Sequence, residues 1–294
     1  MFLALSALAT ALPGRAQEPD ARRWTVDVEG MYRIVPNITY VTADNHESKL
    51  DVYAPKDTAG GPKPTVMFIH GGGWVNGTKE AASLAVLPYL ARGWAAVNVE
   101  YRVAKVSRAP AAVEDARCAL LWVWRNARAY GFDTTRVVVS GSSAGAHLAL
   151  MAGMLPVSAG LDRECQGPGE PKVAAIVNWY GITDVNDILS GPNEKRYAVE
   201  WFGSMTDRDA VARRVSPLTY VRAGLPPVIS IQGDADRTVP YTHSLRLRDA
   251  LTQAGVPNEL ITIPGGGHGN FPAAERQRAY AAIEVFLNRY VRAR

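Results

Sequence analysis

The chain has 294 residues, 47% of them hydrophobic and 20% charged. That is long and apolar enough for one large domain with a buried core, and it excludes a disordered polypeptide. Lys and Arg exceed Asp and Glu by 32 to 28, a net charge of +4, but the signs are interleaved. The densest basic clusters are the pairs Arg22-Arg23 and Arg213-Arg214, too short to track a phosphate backbone, so no nucleic-acid partner is expected.

The first residues, Phe2–Leu12, form a short apolar run of mostly Leu and Ala, followed by Pro13-Gly14-Arg15-Ala16. Gly14 and Ala16 suit the −3 and −1 positions of a signal-peptidase site, although no basic residue precedes the run. Residues 1–16 therefore read as a signal peptide and 17–294 as the folded domain, which predicts a periplasmic or secreted protein. The run is too short to span a bilayer, and no other stretch is long and apolar enough.

From Ile38 onward, strand and helix signals alternate. Ile38–Thr42 and Lys49–Tyr53 read as a hairpin around Asp44-Asn45-His46. Thr65–Ile69 is a continuous apolar run, as expected of a strand covered on both faces. A helix over Ala81–Arg92 ending at Gly93, and a strand over Ala95–Val99, come next. Ala111–Tyr130 has apolar residues at helical spacing and stops at Gly131. Arg136–Ser140 is a strand, with a helix from Ala144. Val173–Trp179, Val228–Gln232 and Glu259–Ile263 complete the strands, the last two followed by helices His243–Ala254 and Ala273–Val291. Strands separated by helices imply right-handed crossovers, a mostly parallel sheet, and a ligand site beyond the strands' carboxyl ends. Residues 181–219 break the alternation with Gly, Pro, Asn, Asp and an aromatic patch of Tyr197, Trp201 and Phe202; they read as a small cap-like insertion.

The chemistry-bearing residues follow strands. Gly141-Ser142-Ser143-Ala144-Gly145 comes after RVVVS and opens a helix, the G-x-S-x-G pattern in its strand–turn–helix setting, with Ser143 as nucleophile. His70-Gly71-Gly72-Gly73-Trp74 follows TVMFI. Its glycines leave backbone N–H groups free to hold a developing oxyanion, and Gly72, Gly73 and Ala144 are the expected donors. Of five histidines, four sit in a turn, in the glycine loop or on helices; His268, in the glycine-rich loop after ELITI, is the expected base. Asp234 and Asp236 compete for the acid after VISIQ, and Asp236, further out in the loop, is preferred by the chain order Ser, acid, His. Asp234 is read as satisfying turn N–H groups, His147 as structural, Asp115, Glu114 and Asp184 as structural carboxylates, and Tyr101-Arg102 as bracing the glycine loop. Trp74, Tyr180 and Trp201 are candidate substrate-pocket residues. The two cysteines, Cys118 in a helix and Cys165 in a polar loop, suggest a disulfide in an exported protein. No metal-binding pattern is present, and neither metal nor cofactor is expected.

Together, LDVYAP (50–55), HGGGW (70–74), YR (101–102), GSSAG (141–145), GDADRTVP (233–240) and GGGHG (265–269) resemble the α/β-hydrolase esterases related to hormone-sensitive lipase. The resemblance is strongest to the branch of bifunctional feruloyl and acetyl-xylan esterases, whereas Tyr101-Arg102-Val103-Ala104-Lys105 departs from the YRLAPE-like stretch of the true lipases. The resemblance implies an α/β-hydrolase fold and a serine carboxylesterase acting on small-molecule esters, including acetyl or feruloyl esters of carbohydrates. Two other readings stay open: an arylformamidase-type amide hydrolase on the same fold, and a catalytically inactive hydrolase fold used for binding.

Overall fold

The computed structural model describes residues 21–57, 59–165 and 171–291; the expected signal peptide, 1–16, lies outside them. A helix α1 (Ala21–Met31), not expected from the sequence, leads into the hairpin β1 (Tyr32–Ala43) and β2 (His46–Pro55). The turn consists of Asp44 and Asn45 alone, both at positive φ (50° and 56°); His46 already pairs with Ala43. Two positive-φ residues make the tight hairpin turn whose twist matches the strands, so the ladder extends further than the hydrophobic run alone suggests. Then follow β3 (Lys63–Ile69), α2 (Leu87–Leu90), β4 (Ala95–Val99), α3 (Ala111–Arg125), α4 (Ala127–Tyr130), β5 (Phe132–Ser142) and α5 (Ala144–Met154). The chain continues through β6 (Ala175–Trp179), α6 (Arg196–Phe202), α7 (Arg208–Arg214), β7 (Val228–Gly233), α8 (Thr242–Gln253), β8 (Asn258–Ile263) and α9 (Ala273–Tyr290).

Two expected helices are divided. Glu80–Val86 is a 3-10 segment before α2, where Pro88 removes an N–H and crowds the preceding turn. Between α3 and α4, Asn126 leaves helical geometry and its side chain donates to the carbonyl of Trp122 at 2.9 Å, a local competitor for the helix ladder.

The eight strands form one sheet in the order β1-β2-β4-β3-β5-β6-β7-β8. The hairpin and β4 pair antiparallel on one side, while β4, β3, β5, β6, β7 and β8 run parallel. Successive residues face opposite layers. Met67, Ile69, Val137 and Val139 join one core with α3, α5 and α8, whereas Val66, Phe68, Val138 and Val177 join the other with α2 and α9. Burial on both faces explains why these strands read as unbroken apolar runs.

The 181–219 segment is a series of short helical turns around α6 and α7. It buries Ala198, Trp201, Phe202, Ala212 and Val215 in the first of these cores. No helix among the described residues is long and apolar enough to cross a membrane.

Cys118 on α3 is bonded to Cys165, 47 residues away, tying down the loop before β6. Closing a loop of that length removes unfolded-state entropy equivalent to about 4 kcal/mol in the chain-entropy treatment. Reduction with dithiothreitol is expected to lower the urea midpoint accordingly. An unchanged midpoint with both thiols shown free would contradict a stabilising role.

Candidate active site

The parallel strands β3, β5, β7 and β8 end at one edge, and the loops after them meet there. Phe68 pairs with Ser140 and Ile69 with Gly141, so the His70 loop lies level with the turn after β5. Ser143 occupies that turn at φ 55°, ψ −122°, a backbone state L-residues rarely adopt, and the neighbouring chain needs room. A Cβ on Gly145 would lie 2.1 Å from the Ile69 carbonyl oxygen, and one on Gly141 would lie 2.4 Å from that of Gly145. Only glycine allows strand and helix to approach this closely.

Ser143 Oγ stands 2.8 Å from His268 Nε2, and His268 Nδ1 stands 2.8 Å from Asp236 Oδ2. The other carboxylate oxygen, Oδ1, accepts the N–H groups of Thr238 at 2.8 Å and Val239 at 3.0 Å. The buried Gln232 amide donates to Oδ2 at 3.3 Å. Burial pushes the Asp236 pKa up, but the hydrogen bond and charge of His268, with the Val239 and Thr238 N–H groups, outweigh it and hold the carboxyl below its ordinary 3.8. Asp234 does different work: its Oδ1 accepts the Gly265 N–H at 2.7 Å, bracing the loop that carries His268. The acid and base loops also touch through backbone, since a Cβ on Gly233 would lie 2.0 Å from the Gly266 carbonyl oxygen.

The glycine loop is shaped by positive φ at Gly72 (121°) and Gly73 (60°). The Gly72 carbonyl accepts the N–H groups of Val75 and Asn76, both at 3.1 Å. No hydrogen bond engages the N–H groups of Gly72 and Gly73 among the described residues. Ala144, the first residue of α5, has no intrahelical acceptor for its own N–H. All three therefore flank Ser143 with donor capacity uncommitted. Gly72, Gly73, Ser143, Tyr180, Tyr197 and His268 line the cleft, about 430 Å³ in volume.

Of the three aromatic residues expected in the pocket, only Tyr180 lines it. Trp74 and Trp201 are fully buried. Their rings stack on each other at 4.2 Å, and Trp74 Nε1 donates to His147 Nδ1 at 3.1 Å. Two indoles bury more apolar area by stacking in the core than either would by facing the cleft, and His147 satisfies the Trp74 N–H. Tyr180, at φ 44°, meets the His268 ring edge-on at 4.8 Å. Tyr197 takes the place expected of Trp201: it lies one helical turn earlier on α6 and donates its hydroxyl to the Thr238 carbonyl at 3.1 Å. Its place one turn before Trp201 on a helical face was the available signal.

Tyr101 and Arg102 separate in role. Tyr101 stacks on His70 at 4.3 Å and so supports the glycine loop. Arg102, expected to do the same, instead forks onto the buried Asp115 at 2.8 Å and reaches Asp44 at 2.6 Å, because a buried guanidinium requires a carboxylate more than it requires loop contacts. Asp184 pairs with Arg246 at 2.6 Å. Among the described residues no group of three or more His, Cys, Asp or Glu is arranged to hold a metal ion.

Burial pushes the pKa values of His70 and His147 down from 6.5 to about 4, against opposing backbone hydrogen bonds to Gly71 and Val215. Between these values the unfolded chain binds a proton at each site that the folded chain refuses, so stability falls as pH drops from 6.5 and levels off below about 4. The expected loss is about 3 kcal/mol per imidazole. Urea midpoints at pH 7.5 and 4.5 measure it, and His147→Gln is expected to remove about half of the difference. An equally acid-labile His147→Gln protein would refute this assignment.

A mostly parallel sheet flanked by helices, with a serine on the strand–helix elbow after β5 and a histidine and carboxylate on later loops, defines the α/β-hydrolase fold. Residues 50–251 match the family described as BD-FAE, and the chain belongs to that family. It is 32% identical over 263 residues to Esterase LipC of Mycobacterium tuberculosis, a match covering 85% of this chain and 64% of that protein. Identity to Esterase LipQ of the same organism is 28%, covering 82% of this chain and 59% of the relative. The chain thus spans less than two thirds of the length of these curated relatives. Among solved structures, a truncated form of a carbohydrate esterase from gut microbiota superposes with a TM-score of 0.76 at 26% identity, covering 90% of this chain and 98% of that one. The propionate-bound esterase Est2 of Thermogutta terrifontis gives 0.71 at 28% identity, covering 91% and 98%.

Proposed function

We propose that the chain is a serine carboxylesterase working through an acyl-enzyme on Ser143. The observation that carries this reading is the hydrogen-bonded series Ser143–His268–Asp236 beside the uncommitted N–H groups of Gly72, Gly73 and Ala144. In the first step His268 Nε2 takes the proton from Ser143 Oγ as the oxygen attacks the ester carbonyl. The oxyanion is held by Gly72, Gly73 and Ala144, each such donor lowering the barrier by about 3 kcal/mol. Asp236 keeps the Nδ1 proton in place and stabilises the imidazolium without taking the proton. The alcohol leaves with the proton from His268, and water then repeats the attack on the acyl-enzyme.

Ester-hydrolase names among relatives and structural neighbours support this chemistry, the carbohydrate-esterase neighbour favours esters of carbohydrates as substrates, and the sequence resemblance points among these to acetyl or feruloyl esters. No cofactor enters the mechanism. The Cys118–Cys165 bond supports a periplasmic or secreted location with residues 1–16 as the export signal, and residues 181–219 form the cap-like wall of the cleft through Tyr197.

The test pairs labelling with turnover. A fluorophosphonate is expected to add once, at Ser143 by peptide mass spectrometry, and to abolish hydrolysis across a panel of acetyl, long-chain and feruloyl esters. Labelling elsewhere, or faster turnover of N-formylkynurenine than of every ester, would overturn the reading.

A further inference from the structure

A second cavity, about 410 Å³, adjoins the catalytic cleft. Ser142 and Tyr180 line both, so the residue before the nucleophile and the ring that packs on His268 form part of the wall between the two spaces. The cavity's walls include Phe68, Trp179, Phe271 and Tyr280. Trp179 meets Tyr280 at 5.2 Å and Phe271 meets Tyr180 at 5.7 Å. Its size and aromatic walls suit one ring of a substrate.

The charge of this cavity is one-sided. Among the described residues, Arg276, exposed on the first turn of α9, is the only charged one that lines it, and no Asp or Glu does. Other arginines nearby are paired: Arg278 with Glu275 at 2.6 Å, Arg289 with Glu259 at 3.2 Å, and Arg92 with Glu284. No carboxylate pairs with the Arg276 guanidinium among the described residues. Burial raises the Tyr280 hydroxyl pKa and the Arg276 charge opposes it; the two residues lie one helical turn apart on α9 and both line the cavity. An uncompensated guanidinium at the rim of a ring-sized apolar cavity offers a planar fork to an anion, and the low-dielectric wall strengthens the attraction.

We propose that this cavity is a substrate subsite for esters whose ring-bearing half carries a carboxylate remote from the scissile bond, with Arg276 as the specificity-determining residue. The inference rests on the esterase reading above. It adds the substrate's charge, which the catalytic groups do not specify. Bound there, the ring lies against Trp179 and Tyr280 while the carboxylate meets Arg276, and the ester reaches Ser143 past Tyr180.

The test uses matched pairs differing only in charge: para-carboxybenzyl acetate against para-carbamoylbenzyl acetate, and methyl para-carboxycinnamate against methyl para-carbamoylcinnamate. The first pair places the charge on the alcohol and the second on the acyl group. The measured quantity is the ratio of kcat/KM within each pair on one enzyme preparation, so differences in folded fraction cancel. The wild-type protein is expected to favour the carboxylate about fivefold in one pair, and less in about 0.5 M sodium chloride. Arg276→Gln is expected to bring that ratio to about one, Arg276→Glu to invert it, and Arg276→Lys to retain part of it. No preference in either pair, or a preference that survives Arg276→Glu, would overturn the subsite while leaving the esterase reading intact. Failure to hydrolyse all four compounds together with acetyl and feruloyl esters would overturn the esterase reading itself.

Discussion

Ser143→Ala is expected to yield a folded protein whose kcat for ester hydrolysis is lower by about 10⁴- to 10⁶-fold. The loss follows from removing the atom that His268 Nε2 contacts at 2.8 Å in the cleft: without the Oγ no acyl-enzyme forms, and what remains is water attack assisted by the backbone donors. Stability is not expected to fall. Ser143 holds a positive-φ backbone state (φ 55°, ψ −122°) that alanine adopts with similar strain, and among the described residues its Oγ is bonded to the imidazole alone. Steady-state kinetics with a nitrophenyl ester, alongside a thermal unfolding scan, measure both halves. Retention of more than about 1% of wild-type turnover in protein free of contaminating esterase would exclude Ser143 as nucleophile.

Asp236→Asn is expected to cost about 10⁴-fold in kcat with little change in KM, and the surrounding donors explain why. Thr238 and Val239 direct their N–H groups at Oδ1, so an asparagine at this position is held with its carbonyl toward them and its NH₂ toward His268. The NH₂ then donates to Nδ1, which drives the imidazole proton to Nε2, the atom that must accept from Ser143. The Gln232 amide, which donates to Oδ2, would face another donor and be left partly unsatisfied. Asp234→Asn is the contrast: its carbonyl still accepts the Gly265 N–H, and turnover is expected to stay within about tenfold. The two carboxylates stand two residues apart, so equal losses at both, or the larger loss at Asp234, would assign the acid to the wrong residue.

The candidate reacting groups were legible because each occurs in a short motif after a strand, and the order of the strands predicts a shared edge. The G-x-S-x-G turn, the glycine run after β3 and the histidine loop after β8 need no long-range information beyond that order. Even the distinction between Asp234 and Asp236 follows from distance along the loop. The aromatic residues behave differently. Trp74 adjoins Gly72 and Gly73 in sequence and so looked like a substrate contact. Its indole is drawn into the core by Trp201 and His147, which lie 127 and 73 residues away in the chain.

Arg102 shows the same limit, since its carboxylate partners come from α3 and the hairpin turn. Alternation of strands and helices, the parallel sheet, and the candidate nucleophile, base and acid are consequences of local pattern: periodicity, turn residues and motif order act over a few residues at a time. The walls of the cleft, the adjoining aromatic cavity and the charge of Arg276, unpaired among the described residues, became visible only with the chain folded. They depend on which side chains from distant segments compete for the same space and the same partner. Burial and pairing are settled by that competition, and no local pattern encodes its outcome.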